Sequence, residues 1–168
     1  MKSRSLATVA VAPLAAAAIA PGARAQGLAA TASPAAPAAP TTRVEACLRA
    51  AGEAHRVDPA LLVILLQVEG GSLGRTSRNT NGTEDIGPMQ VNTIWVARMA
   101  RRWNTTPELA FLALRDSFCA NVEAGAWILR QGMDEGGGDF WRGVSYYHSH
   151  SPEHRERYLR LVADRAVR

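Results

Sequence analysis

Between Asp58-Pro59 and Gly70-Gly71 runs Ala60-Leu-Leu-Val-Ile-Leu-Leu-Gln-Val-Glu69, a segment apolar on almost every side. It is about half the roughly 20 residues that a membrane-spanning helix needs. Asp58 supplies an N-cap, Pro59 suits the first helical position, and the paired glycines stop the helix. A helix with no polar face has to be surrounded, so the chain must place this one at the centre of a helical domain.

The flanking segments supply the elements that surround it. Arg43 to Arg56 reads as an amphipathic helix, with Val44, Cys47, Leu48 and Ala51 at three- and four-residue steps. Gly71 to Gly87 is rich in Gly, Ser, Thr and Asn and contains Asn81-Gly82, so a loop or small hairpin is expected. A helix is predicted from Pro88 to about Trp103, and a short one from Thr106-Pro107-Glu108. Another is capped by Asp116 or Ser117 and runs to Met133 along a stripe of Phe118, Val122, Ala126, Leu129 and Met133. Asp139 and Pro152 lead two last helices. The expected fold is mainly α, a single domain with a small β-hairpin or loop element after the central helix.

The N-terminus has the three parts of a secretory signal: Lys2 and Arg4, an apolar stretch from Leu6 to Ala20, and Ala23-Arg24-Ala25. Residues 1–25 are therefore expected to be a cleaved signal peptide, with an uncleaved anchor as the alternative. Residues 26–42 are an Ala/Pro-rich tether, too poor in large side chains to offset the entropy of ordering. Residues 43–168 suffice for one compact domain. Loss of Lys2, Arg4 and Arg24 with the signal leaves sixteen basic residues against fifteen acidic ones, so the formal charge of +4 nearly vanishes. That argues against nucleic acid as a partner, since non-specific binding needs a concentrated basic surface. Arg98, Arg101 and Arg102 read as a solvated helix face. After signal removal no segment could span a membrane, and a monomer in the periplasm or outside the cell is expected. An even cysteine count in an oxidising compartment favours a Cys47–Cys119 disulfide over two buried thiols. Such a bridge, closing about 73 residues, contributes at most about 4 kcal/mol on the chain-entropy model.

Glu69 is the most informative position. A carboxylate at the C-terminal end of an apolar helix is pressed to hold its proton by desolvation and by the negative end of the helix dipole. A carboxylic acid still protonated near neutral pH is what a departing glycosidic oxygen requires of a general acid. Periodicity alone equally allows a Glu at an exposed helix end paired with a nearby Arg.

Glu69-Gly70-Gly71 followed by Arg78-Asn79-Thr80-Asn81-Gly82-Thr83-Glu84-Asp85-Ile86-Gly87-Pro88-Met89-Gln90-Val91-Asn92 resembles the active-site stretch of family 1 (SLT-type) lytic transglycosylases and animal-type lysozymes. Phe118-Cys119-Ala120-Asn121-Val122-Glu123-Ala124-Gly125-Ala126-Trp127-Ile128-Leu129 and Trp141-Arg142-Gly143-Val144-Ser145-Tyr146-Tyr147-His148-Ser149 are similar to later transglycosylase motifs. Order and spacing match from about Val44 to Val162. The nearest subgroup is the small transglycosylases of conjugation, pilus and type III/IV secretion machines, whose components the resemblance adds as partners. It implies a lysozyme-like fold, peptidoglycan glycan strands as substrate, no cofactor, and Glu69 as the catalytic acid that later takes the proton from the muramic acid O6.

The same resemblance places Met89, Gln90 and Asn92 at sugar contacts, where amides suit N-acetyl groups and Met89 would form an adaptable apolar wall. Helix N-terminal packing is their alternative reading. It aligns Tyr147 with a Tyr whose hydroxyl lies near the acid, although a core tyrosine is also open, and it makes His148 a hydrogen-bonding substitute for Asn. Three positions depart from the family pattern: Gly70 replaces Ser, Pro88 replaces Leu, and Tyr147-His148-Ser149-His150 replaces Tyr-Asn-Ala-Gly. Asp85 falls where animal-type lysozymes carry a second carboxylate, which a retaining hydrolase would use at about 5 Å from the first. A capping or bracing role for Asp85 is equally open. His148, His150 and His154 are not read as metal ligands, because Pro152 interrupts a shared helical face.

Overall fold

The computed structural model describes residues 42–167. The expected signal peptide and all but the last residue of the expected tether lie outside the described residues. Helix α1 (Arg43–His55) opens with a reciprocal capping box between Thr42 and Glu45 and closes on Arg56 in the left-handed conformation. Helix α2 (Pro59–Glu69) is capped by the Asp58 carboxylate and ends at Gly70. A three-stranded antiparallel sheet follows, β1 (Thr76–Arg78), β2 (Glu84–Ile86) and β3 (Val91–Asn92), in the order β1-β2-β3. A 3₁₀ turn at Thr93–Trp95 leads into α3 (Val96–Arg102). Then come α4 (Pro107–Asp116), α5 (Phe118–Glu135), α6 (Phe140–Tyr146) and α7 (Pro152–Ala166). Thr106, Ser117 and Asp139 cap α4, α5 and α6 through their side chains. Among the described residues no helix is long and apolar enough to cross a membrane.

Leu62 and Leu65 of α2 are fully buried against Ile86, Met89, Val122, Leu129, Val144 and Val162. The central helix thus packs against α1, α5 and α7 and shares one core with the sheet, as its uniform hydrophobicity requires. Cys47 of α1 is bridged to Cys119 at the start of α5, with Cα atoms 5.0 Å apart. Close by, Glu123 accepts from Arg102 Nε (3.1 Å) and Trp103 Nε1 (2.9 Å) and meets His55 Nε2 at 2.8 Å. Arg102 therefore turns from the solvated face toward α5 and helps clasp α1, α3 and α5.

One predicted element is absent as drawn. No helix starts at Pro88; residues 87–90 form a turn, β3 follows, and α3 begins only at Val96. The reason is tertiary. Gln90 adopts φ 49°, which no right-handed helix accommodates. The Met89 N–H donates to buried Asn121 Oδ1 at 2.7 Å, and Asn121 Nδ2 donates to the carbonyls of Ile86 and Leu114, both at 2.9 Å. A side chain 32 residues downstream thus satisfies the turn and leaves residues 91–92 free to pair with β2.

Candidate active site

Glu69 is the last residue of α2, at the junction of the sheet, α6 and α7. The αL conformation of Gly70 (φ 62°) lets its N–H close on Leu66 at 3.1 Å. That conformation is one glycine adopts at little cost, and glycine stands here where the resembling family carries serine. A Cβ on Gly71 would overlap the Gly87 carbonyl oxygen, so the exit of α2 packs directly on the 87–90 turn. Two glycines thereby bring the acid and the candidate sugar-contact segment together.

The Glu69 side chain is half-buried and accepts a hydrogen bond from the Tyr158 hydroxyl at 2.7 Å. Burial raises its pKa to about 7; the Tyr158 hydrogen bond lowers it and the Asp85 carboxylate raises it again. A proton that remains near neutral pH is thus a result of desolvation with a second carboxylate close enough to be felt. Burial and the Glu69 charge push the Tyr158 hydroxyl far above the ordinary tyrosine range, so it stays a donor. We expect Tyr158→Phe to move the alkaline limb of the pH–activity profile upward and to lower kcat/KM by about tenfold, the scale of one charge-assisted hydrogen bond. An unchanged profile would reduce Tyr158 to packing.

Asp85 sits on β2 opposite Asn92 of β3. Both its oxygens are held: Asn92 Nδ2 donates to Oδ1 at 2.7 Å and Asn79 Nδ2 to Oδ2 at 3.0 Å. The same two amide groups also donate to Thr83 Oγ1, at 2.9 and 3.1 Å. Asp85 braces the hairpin, and the brace aims a fixed negative charge toward Glu69.

Asn92, besides holding Asp85, caps the 3₁₀ turn through Ile94 N at 3.1 Å. Gln90 is partly exposed and donates to the Gly87 carbonyl at 2.9 Å, which leaves its side-chain oxygen without a partner among the described residues. Met89 is completely buried. The apolar wall expected to face a sugar is therefore a layer beneath the surface, because the 87–90 turn directs the methionine inward against α5. The Tyr147 hydroxyl donates to the Met89 carbonyl at 2.7 Å, not to Glu69, although Glu69 and Asp85 both help to raise its pKa. His148 stacks flat on Tyr158, with ring centroids 4.8 Å apart and planes 3° apart, and burial lowers its pKa. His150 turns outward to Glu135 at 2.9 Å.

Tyr158, Asn79 and Asn121 belong to the site without any sequence motif that marks them. Tyr158 carried a weak signal: with Val162 one turn later, it forms an apolar stripe on an otherwise highly charged helix. Asn79 and Asn121 carried none, since an amide in a polar loop or on a helix reveals its partners only after folding.

A helical domain whose central helix presents a glutamate of raised pKa to a small antiparallel sheet bearing a second carboxylate is a lysozyme-like domain. Comparison with family models narrows the class: the transglycosylase SLT domain matches residues 46–160, and the chain belongs to that family. No curated protein sequence matches it. The family assigns the domain a lytic transglycosylase-type, peptidoglycan-cleaving function outside the cytoplasm.

Proposed function

We propose that the protein is a lytic transglycosylase that cleaves the β-1,4 bond between N-acetylmuramic acid and N-acetylglucosamine and leaves 1,6-anhydromuramoyl ends. Glu69 donates its proton to the departing GlcNAc oxygen. The resulting carboxylate then takes the proton of the muramoyl O6 as that oxygen closes on C1, so no water is consumed. The observation that supports this most is one carboxyl group held near pKa 7, while its carboxylate neighbour is engaged through both oxygens. Asp85 in that state is suited to steadying positive charge at C1 without moving a proton. Partly exposed Gln90 and Asn92 would meet the N-acetyl groups, and His148 would border the same cleft.

Hydrolysis by a muramidase is the second reading, favoured by the influence of Asp85 on Glu69. Mass spectrometry of digested sacculi separates the two, since anhydro ends are lighter by one water. Anhydro products are expected; reducing ends alone would overturn the assignment. Asp85→Asn is expected to lower turnover about tenfold, well short of what loss of the general acid causes. A loss as deep as that of Glu69→Gln would instead make Asp85 a direct participant. The setting we propose is export by the residues 1–25 signal, a tether over residues 26–42, and local wall opening for a secretion, conjugation or pilus apparatus. If Glu69→Gln clears sacculi as well as wild type, Glu69 leaves the mechanism; if the wild-type chain itself binds sacculi without cleaving them, the domain is a glycan-binding assembly module.

A further inference from the structure

On the side of the domain away from Glu69, two large aromatic side chains stand in solvent. Phe140 and Trp141 open α6 and are 50% and 51% exposed, with ring centroids 4.9 Å apart and planes at 80°. Isolated exposed apolar residues need no explanation, but this pair stands beside a groove that Phe140 lines and Trp141 adjoins. Their base is fixed, because Asp139 caps α6 by accepting from Arg142 N at 3.0 Å and pairs with Arg142 Nη2 at 3.3 Å.

Phe140 forms one wall of an open groove of about 330 Å³ between the α1–α2 turn and the α5–α6 corner. Leu61 and Met133 give the groove apolar surface, and Arg56, Asp58, Arg130 and Asp139 supply its charged groups. Two guanidinium groups and two carboxylates cancel in net charge, which disfavours a polyanion or a polycation. Asp139 is taken up by Arg142, Arg130 Nη2 by Asp134 and one Asp58 oxygen by the Ala60 N–H. What remains is a set of donors and the second Asp58 oxygen beside an apolar face, which suits a pyranose with hydroxyls on its edge and C–H bonds on its face. Donor capacity remains there: the Arg56 side chain has no polar partner among the described residues, and buried Arg130 Nε lacks an acceptor. The groove lies at the N-terminal end of α2, about 15 Å of helix from the carboxylate at the other end, and shares no lining residue with the Glu69 site.

We infer that this groove is a second carbohydrate site that holds a neutral N-acetylated sugar of a glycan strand while the cleft works on another stretch. The ligand class rests on the peptidoglycan-cleaving reading, whereas the site itself does not. Two weak sites on one polymer raise retention without any gain in either, by avidity.

The test uses the full chain carrying Glu69→Gln, ¹⁵N-labelled, titrated with chitotriose and observed through its tryptophan indole signals. The Trp141 signal, identified by its loss in Trp141→Phe, should shift saturably, and Arg56→Ala should weaken that shift. In an otherwise unaltered chain, Trp141→Ala and Arg56→Ala should each reduce retention on purified sacculi by about tenfold or more. Both should leave turnover of soluble glycan strands and the thermal melt unchanged. No Trp141 shift, retention equal to wild type in both variants, or displacement by polyphosphate instead of chitotriose would each overturn the inference. Failure of the catalytic reading would appear separately, as wall clearance that survives Glu69→Gln.

Discussion

Replacing Glu69 with glutamine is expected to lower peptidoglycan turnover by about 10²–10⁴-fold, the range a positioned general acid contributes. Glycan binding should be largely retained, because a carboxamide has nearly the same shape and its oxygen still accepts from Tyr158. The same substitution should stabilise the fold above neutral pH. Glu69 has a pKa of about 7 in the folded chain against an ordinary 4.5, so the folded state binds the extra proton. The stability linked to that proton is fully present below about pH 4.5 and is lost as pH rises through about 7. Glutamine never ionises, and the variant should gain up to about 3 kcal/mol over wild type at pH 8–9, little of which remains at pH 4. Turnover of wild type should fall on the alkaline side with an apparent pKa near 7. Thermal melts at pH 4 and 8, run beside sacculus digestion, check all three. An inactive variant that is also less stable at pH 8 would refute the desolvated-acid account even though activity was lost.

Asn121→Ala should be the most damaging single change to the scaffold of the site, at about 4 kcal/mol. Asn121 is completely buried, and it alone satisfies the Met89 N–H and accepts or donates across three elements: the turn, β2 and α4. Its removal strands one buried donor and two buried acceptors, each costing about 1–3 kcal/mol, and a cavity adds to that. Urea unfolding measures the loss, and amide exchange at Met89 locates it. A change below about 1 kcal/mol with Met89 still protected would mean that the turn holds itself. Because Tyr147 donates to the Met89 carbonyl, loosening this turn should also disturb Gln90 and the cleft edge before the core unfolds.

Much of the architecture was legible in the residues themselves. Asp58-Pro59 and Gly70 set the limits of α2, and caps at Thr106, Ser117 and Asp139 set those of three later helices, because these signals act within a few residues of themselves. The segment 88–95 was not legible. Its local pattern allows a helix, and only the amide of Asn121, arriving from α5, makes the turn and the third strand cheaper in unpaired backbone groups.

The candidate site divides in the same way. A carboxylate at the end of an apolar helix foretold a raised pKa, since burial and dipole follow from the helix alone. The choice between an exposed Glu paired with Arg and an enclosed acid was settled by α7, which lays Tyr158 over the carboxyl group. Asp85 shows the same limit: sequence fixed its distance along the chain from Glu69, but two side-chain amides engage its oxygens only once β2 and β3 pair. The sequence by itself determined the helical domain, its central helix and the place of a carboxylate at that helix's end. The tertiary structure decided which groups hold that acid and its neighbour, because hydrogen bonds between residues 89 positions apart have no signature in local spacing.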